Sequence, residues 1–491
     1  MMEAITGKRR RASRNPGALV LALVIAATMA ASPRAVGGEV EARGVQGKST
    51  LVGHSPLMNR GMNAALAVHN DHAYVGSRTD GLHPNAGVMV VDVSDPSAPE
   101  VTGQIGPPNE GLPGETSREL RVWRDEDALI VLNLASNCSP LIHACSPTQA
   151  VMDDNYRFYD VSGDNAGAPE FVSEYVPTHN PHEFYLWVDP NRKGRALLFQ
   201  SSPSGQAAQL VVTDISGWRE GKFKELGTWT TVIPDPQTDN RLHSLTVSND
   251  GTLAYVAYLG GGSFILDVSE FKKGVKNPEA KLVTPLQNRV SWGDPGAHSA
   301  AKLPGRDWML VTDEVYGRIP GLLPDHGCPW GWTRLVNIRN PARPKVVSEY
   351  KIEQNKKAFC SSPDNTPDRN TLSSWSAHNP TLTRNLALIS WHAGGLQIVN
   401  LKNPASPNQA AEFVPDPLPA VVTEDPALSS GRGKVVVWSF PIVVDGLIYV
   451  VDVRNGLYIL DYEGKFEREI AGTRFLEGNS NQGDALRFER P

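Results

Sequence analysis

Several large classes of protein are excluded by what this sequence has little of. Cysteine occurs four times in 491 residues, and no two stand in a Cys-x-x-Cys spacing, which removes the commonest structural zinc sites. Lys/Arg runs are missing after the first few residues and the net charge is −6, so a nucleic-acid partner is not expected. One long apolar run exists, residues 17–31, and it is shorter than the ~20 residues a spanning helix needs. Beyond it no 3.6-residue apolar period is found. A Gly-x-Ser-x-Gly elbow, a P-loop, a dinucleotide glycine fingerprint and a His-Glu-x-x-His pair are all missing. Carboxylates are plentiful, but no spacing marks a glycosidase.

What is present begins with "GKRRRASRNPGALVLALVIAATMAASPRA". A basic segment, an apolar run and then small residues predict a secretory signal over residues 1–35. An oxidising compartment agrees with the four cysteines, which predict disulfides Cys138–Cys145 and Cys328–Cys360 among the three possible pairings. Residues 36–48 read as a flexible segment and 476–491 as a tail. No transmembrane segment is expected in the mature, exported chain.

Internal repetition organises the rest. The segments "GVMVVDVSDPSAPEV", "NYRFYDVSGDNAGAPEF", "QLVVTDISGWREGKF", "SFILDVSEFKKG", "TRLVNIRNPARPKV", "LQIVNLKNPASPNQ" and "LYILDYEGKF" align. Each is a strand ending in an Asx residue: Asp92, Asp160, Asp214, Asp267, Asn337, Asn400 and Asp461. Such a side chain can bond backbone two residues on and close a tight turn. An apolar hairpin precedes each segment, as in "LTVSNDGTLAYVAY" and "AALAVHNDHAYVGS". Seven units of four antiparallel strands predict an all-β chain, a seven-bladed β-propeller over residues 49–475. Two segments compete to complete the last blade, "STLVGHSPL" and "REIAGTRFLE". The "VVDVSDPSAP" motif and its cognates resemble the LVIVD repeat family of secreted or cell-surface bacterial propellers. That resemblance implies a fold and a compartment and names no reaction.

In a four-strand meander the a–b and c–d turns share one face of the disc. The b–c loops and the linkers between blades share the other. The a–b turns are all short, whereas the insertions 106–116, 135–155, 316–332, 353–375 and 416–433 fall on the opposite face. Long loops on a rigid scaffold commonly carry function, so this face is expected to receive a small-molecule, glycan or protein ligand. Trp292, Trp330, Trp332 and Trp375 stand on these loops and are read as loop packing. His143 and His326 are read as surface residues.

Histidine supplies the sharpest signal. His182, His243, His298 and His378 all stand at the first residue of strand a, in blades three to six. With 12 histidines in 491 residues, four matches among seven aligned positions arise by chance at about 10⁻⁵, or about 10⁻⁴ to 10⁻³ once some twenty possible registers are allowed for. Strand a is innermost, so these imidazoles are expected at the mouth of the central channel. They could hydrogen-bond channel waters, recognise a polar ligand, or bind a transition metal such as Fe, Cu or Zn. The metal reading predicts carboxylates behind them, with Glu119, Glu183, Asp294 and Glu314 suitably placed. Arg118 occupies the same register in blade two, and His392 lies at the far end of a strand b. The arrangement is similar to that of carotenoid-cleavage oxygenases, propellers holding iron with four inner-strand histidines. It also looks like that of copper-dependent propellers related to selenium-binding proteins. The function expected is a metal-dependent oxidoreductase. A non-catalytic binding scaffold and a metallohydrolase are the alternatives.

Overall fold

A computed structural model of the chain describes residues 47–78, 85–106, 117–134, 154–203, 208–233, 240–292, 296–314, 328–362, 375–424, 434–473 and 475. These residues form seven four-stranded antiparallel sheets, the blades of a β-propeller. In blades one to six the strands follow in chain order from the inner edge (strand a) to the outer edge (strand d).

The seventh blade closes the ring. Its first three strands are Ile442–Val444, Leu447–Asp452 and Gly456–Glu463, and its outer strand is Lys48–Ser55 from the other end of the chain. The competing segment near residue 470 is instead a short helix, Glu467–Gly472. Lys48 pairs with Glu463 and Ser55 with Leu457, with one bulge between Leu51 and Gly53. This closure pairs an edge that would otherwise template aggregation.

The Asx positions behave as the sequence predicts. The Oδ1 atoms of Asp92, Asp160, Asp214, Asp267, Asn337 and Asn400 each accept from the backbone N–H two residues on, at 2.8–3.0 Å. Asp461 is the exception, and the closure explains it. Its blade has no c–d turn, so Asp461 lies within a strand opposite Thr50. The a–b turns at Asn70-Asp71 and Asp445-Gly446 have positive φ at both residues, the backbone that two-residue hairpins with right-handed twist require.

Each junction between neighbouring blades has its own apolar core. Tyr185 and Trp187 of blade three pack toward Val247, Val256 and Phe264 of blade four. The alternating residues Phe184 and Leu186 pack toward Ile130 and Phe158 of blade two. Period-two alternation thus buries both faces of a blade. Blades one and seven share a core of the same kind around Leu66, Val75, Tyr449 and Ile459, so the ring has no gap in its packing.

Polar contacts add to these junctions. Arg219 donates from Nη1 to Asp160 Oδ2 at 2.6 Å, tying blade three to blade two. Burial alone would raise the Asp160 pKa. Arg219 and Ser162 outweigh it and pull the carboxyl down to about 2. A depressed carboxyl contributes stability above its unfolded pKa of about 3.9 and loses it as pH falls through the folded value. Arg219→Ala is therefore expected to cost up to about 1 kcal/mol at pH 7, because the pair is partly exposed. In urea unfolding series the difference from wild type should shrink below pH ~4 and vanish near pH 2.

Candidate metal centre

Backbone pairing shows why four histidines share one place. Glu183 pairs with Ser201, Ser244 with Ala257 and Ser299 with Thr312. His182, His243 and His298 are the residues immediately before those. His378 is held equivalently, its N–H donating to the Ser390 carbonyl as those of His182 and His243 donate to Ser201 and Ala257. In blade five the residue falls in a bulge between Ala297 and Ser299. Arg118 occupies the same kind of bulge in blade two, between Ser117 and Glu119. Four neighbouring inner strands therefore present imidazoles side by side. Ring centroids are 4.4 Å apart for His182–His243, 4.0 Å for His243–His298 and 4.3 Å for His298–His378.

Two further donors come from just beyond strand b. Asp313 donates its N–H to Trp332 as Trp391 donates to Gly395, so Glu314 and His392 stand at one register in blades five and six. His392 sits in a tight turn at φ 29°, a sparsely populated conformation for a non-glycine residue. The turn closes at Gly395, φ 70°, where a Cβ would lie 2.1 Å from the Phe413 carbonyl. His392 is buried and stacks on Trp438, centroids 5.4 Å apart.

Glu314 is the hub. Its Oε2 lies 3.2 Å from His298 Nε2, and its Oε1 lies 3.3 Å from His378 Nε2 and 3.2 Å from His392 Nε2. His182 and His243 meet through their Nε2 atoms at 2.8 Å. Donors about 2.1 Å from a common ion stand about 3.0–3.4 Å apart for bond angles between 90° and tetrahedral. The Glu314 distances fall inside that window. Three donor groups each lie within 4.8 Å: His182–Glu183–His243, His243–His298–Glu314 and Glu314–His378–His392. These His/Glu groups could hold a metal ion.

Outer contacts set the tautomers. His378 Nδ1 donates to the Trp438 carbonyl at 2.6 Å, which leaves a lone pair on Nε2. Ser299 Oγ donates to Asn379 Oδ1 at 3.1 Å and accepts from His298 Nδ1 at 2.8 Å, so His298 Nε2 also points at Glu314. Burial holds His182, His243 and His378 well below the ordinary imidazole range, keeping them in the neutral, ligating form. For His298, burial is outweighed by Glu314, and its pKa rises. Glu314 Oε1 and His378 Nε2 are buried and face each other without a hydrogen bond.

The other carboxylates fall in different places. Glu314, expected behind the histidines, stands among the donors. Glu183 lies beside His182 and His243, pushed up to about 7 by burial and then by the Glu119 charge. Glu119 pairs with Arg121 at 3.0 Å, and no histidine nitrogen bonds to it among the described residues. The groups behind His298 and His378 are instead a hydroxyl and a carbonyl. Asp294 lies outside the described residues. Below the histidines a cavity is lined by Arg121, Glu183, Ser244, Thr246, Ser299 and Phe440.

Most of the long loops lie outside the described residues, with Cys138, Cys145, His143 and His326 among them. Cys328 and Cys360 do form a disulfide. Around it Trp330 packs on Trp375 (5.0 Å) and Phe359 (6.3 Å), and Arg334 lies over Trp292 and Trp332 at 4.0 and 4.8 Å. The tryptophans pack the loops. With the cysteines 32 positions apart in sequence, the double replacement by Ser is expected to cost about 2–4 kcal/mol. Guanidinium unfolding with and without reductant checks this, since reductant should destabilise the wild type by more than the variant.

The LVIVD repeat family matches residues 60–105. That span takes in all four strands of blade one, Asn63–His69, His72–Ser77, Val88–Asp92 and Glu100–Ile105. The chain is a seven-bladed β-propeller that carries an LVIVD repeat in its first blade. No curated protein matches it. Similar solved structures include the β-propeller domain of Cps50 (Swd1) from Myceliophteria thermophila, at 11% identity over 84% of this chain and 99% of that one, TM-score 0.48. Sqt1 from Chaetomium thermophilum is 13% identical over 84% and 86%, TM-score 0.43. A Lactobacillus plantarum protein is 16% identical over 58% and 70%, TM-score 0.40. Likeness at that level says nothing of ligand or activity. The site of this propeller is therefore read from its own residues.

Proposed function

We propose that this propeller binds a transition-metal ion (Fe, Cu or Zn) at the channel mouth and acts as a metal-dependent oxidoreductase on a small molecule. One observation carries the metal reading. The Glu314 carboxylate and the His378 lone pair, two acceptors, face each other in a buried site at 3.3 Å with no hydrogen bond between them. Two facing acceptors repel unless a cation lies between them. The donor chemistry favours redox metals, since two imidazoles and a carboxylate (His378, His392 and Glu314) make the ligand set typical of non-haem iron. A bound iron or copper ion would supply one-electron chemistry. The chain's own residues then divide the work. Trp438 and Ser299 hold the ring tautomers, and the neighbouring inner strands fix the spacing of the donors. The Arg118 guanidinium disfavours protonation of His182. The cavity beneath, with Arg121 and Glu183, has room for about one water molecule beside the donors. No membrane-crossing helix is found among the described residues, and the disulfide supports an oxidising, extracytoplasmic location.

The test is loading and turnover. Chelator-treated full-length chain loaded with Cu²⁺ or Fe²⁺ is expected to consume dioxygen in the presence of ascorbate, well above the free ion at equal concentration. A chain that takes up only Zn²⁺ and never consumes oxygen contradicts the oxidoreductase and leaves a hydrolase or a binding scaffold.

A further inference from the structure

The donors are too many and too spread for one ion. Around a single centre with bonds of about 2.1 Å, no two donors can lie more than about 4.2 Å apart. None of the donor groups within 4.8 Å contains both His243 and His392, and the groups holding them have only Glu314 in common. Glu314 also divides its oxygens, Oε2 toward His298 and Oε1 toward His378 and His392. A carboxylate whose two oxygens serve different imidazoles is placed as a bridge.

We infer that the channel mouth is a two-ion centre bridged by Glu314. One ion sits on His378, His392 and Oε1. The other sits on His243, His298 and Oε2, with His182 beside it. Carboxylate-bridged pairs of this kind lie about 3.5–4 Å apart. The imidazole-rich donor set suits Cu, Fe or Zn in both positions. The contiguity of the histidines then has a purpose. A single ion needs donors converging on one point, whereas a pair needs an arc of donors around a shared carboxylate, which four successive blades supply.

This inference rests on the metal reading above, and its failure can be told apart from that reading's failure. The full chain, stripped of metal, is dialysed against Co²⁺ and its bound ions are counted. Two per chain are expected, falling to one in His392→Ala and to one in His243→Ala. The unsubstituted chain loaded with Cu²⁺ is examined by EPR, which needs no variant to fold, and a half-field transition from a coupled pair is expected. One ion per chain, or two ions that are magnetically independent, overturns the bridge and leaves a mononuclear site. No bound ion overturns both readings.

Discussion

Replacing Glu314 by Ala is expected to lower transition-metal affinity by 100-fold or more. Removing groups that merely support a metal ligand typically costs 10–100-fold, and among the described residues Glu314 is the only carboxylate facing His298, His378 and His392 together. The loss should be visible in stability as well. An ion binding only the folded state at 100 times its dissociation constant stabilises by about 2.7 kcal/mol. Added metal should therefore raise the melting temperature of the wild type clearly and leave that of Glu314→Ala unmoved. Glu314→Gln separates charge from shape, because it keeps an acceptor but no anion. It should fall between the two, nearer Ala. A variant melting curve that responds to metal as the wild type does would remove Glu314 from the site.

The second large effect is at the closure. A chain beginning at Pro56 lacks the outer strand of the seventh blade and should not fold cooperatively. The strand contributes a ladder from Lys48↔Glu463 to Ser55↔Leu457. It also brings the stacking of His54 on Tyr458 at 4.3 Å and the His54 Nε2 bond to the Asn455 carbonyl at 2.7 Å. Backbone hydrogen bonds contribute about 1 kcal/mol each, against a total stability of about 5–15 kcal/mol. Losing the ladder therefore removes a large fraction of the whole and exposes an unpaired edge. Size-exclusion chromatography should show aggregates, and adding the missing peptide, residues 47–55, should recover the elution volume of the untruncated chain. A truncated chain that elutes like the untruncated one with an unchanged unfolding midpoint would contradict this.

The fold was legible because its signals are local and repeated. An Asx residue after a strand bonds backbone two residues on whatever surrounds it, so aligned segments reveal the c–d turns directly. Closure was less legible, since "STLVGHSPL" and "REIAGTRFLE" both read as strands and only long-range pairing separates them. Asp461 was the available clue, an Asx residue with no following turn. In the site, the register of His182, His243, His298 and His378 could be read from alternation and short hairpins. The place of Glu314 among the donors, with His392 opposite the same carboxylate, was harder to read. Glu314 and His392 follow strand b, where loop lengths differ between blades and alignment by eye fails. Aligning "VTDE" with "ISWH" (both four-residue ends of strand b) would have put them in one column. The partners behind the rings, Ser299 and the Trp438 carbonyl, were beyond reach, because a backbone carbonyl leaves no mark in residue type.

Calorimetric titration of chelator-treated, full-length chain with Zn²⁺ or Cu²⁺ at pH 7.5 tests the central claim most directly, beside a chain carrying Glu314→Ala and His378→Ala. Saturable binding by the wild type at micromolar or lower concentration, abolished in the double variant while its circular dichroism stays the same, is the expected result. Absence of saturable binding in the wild type, or equal binding by both chains, would contradict a metal centre on Glu314.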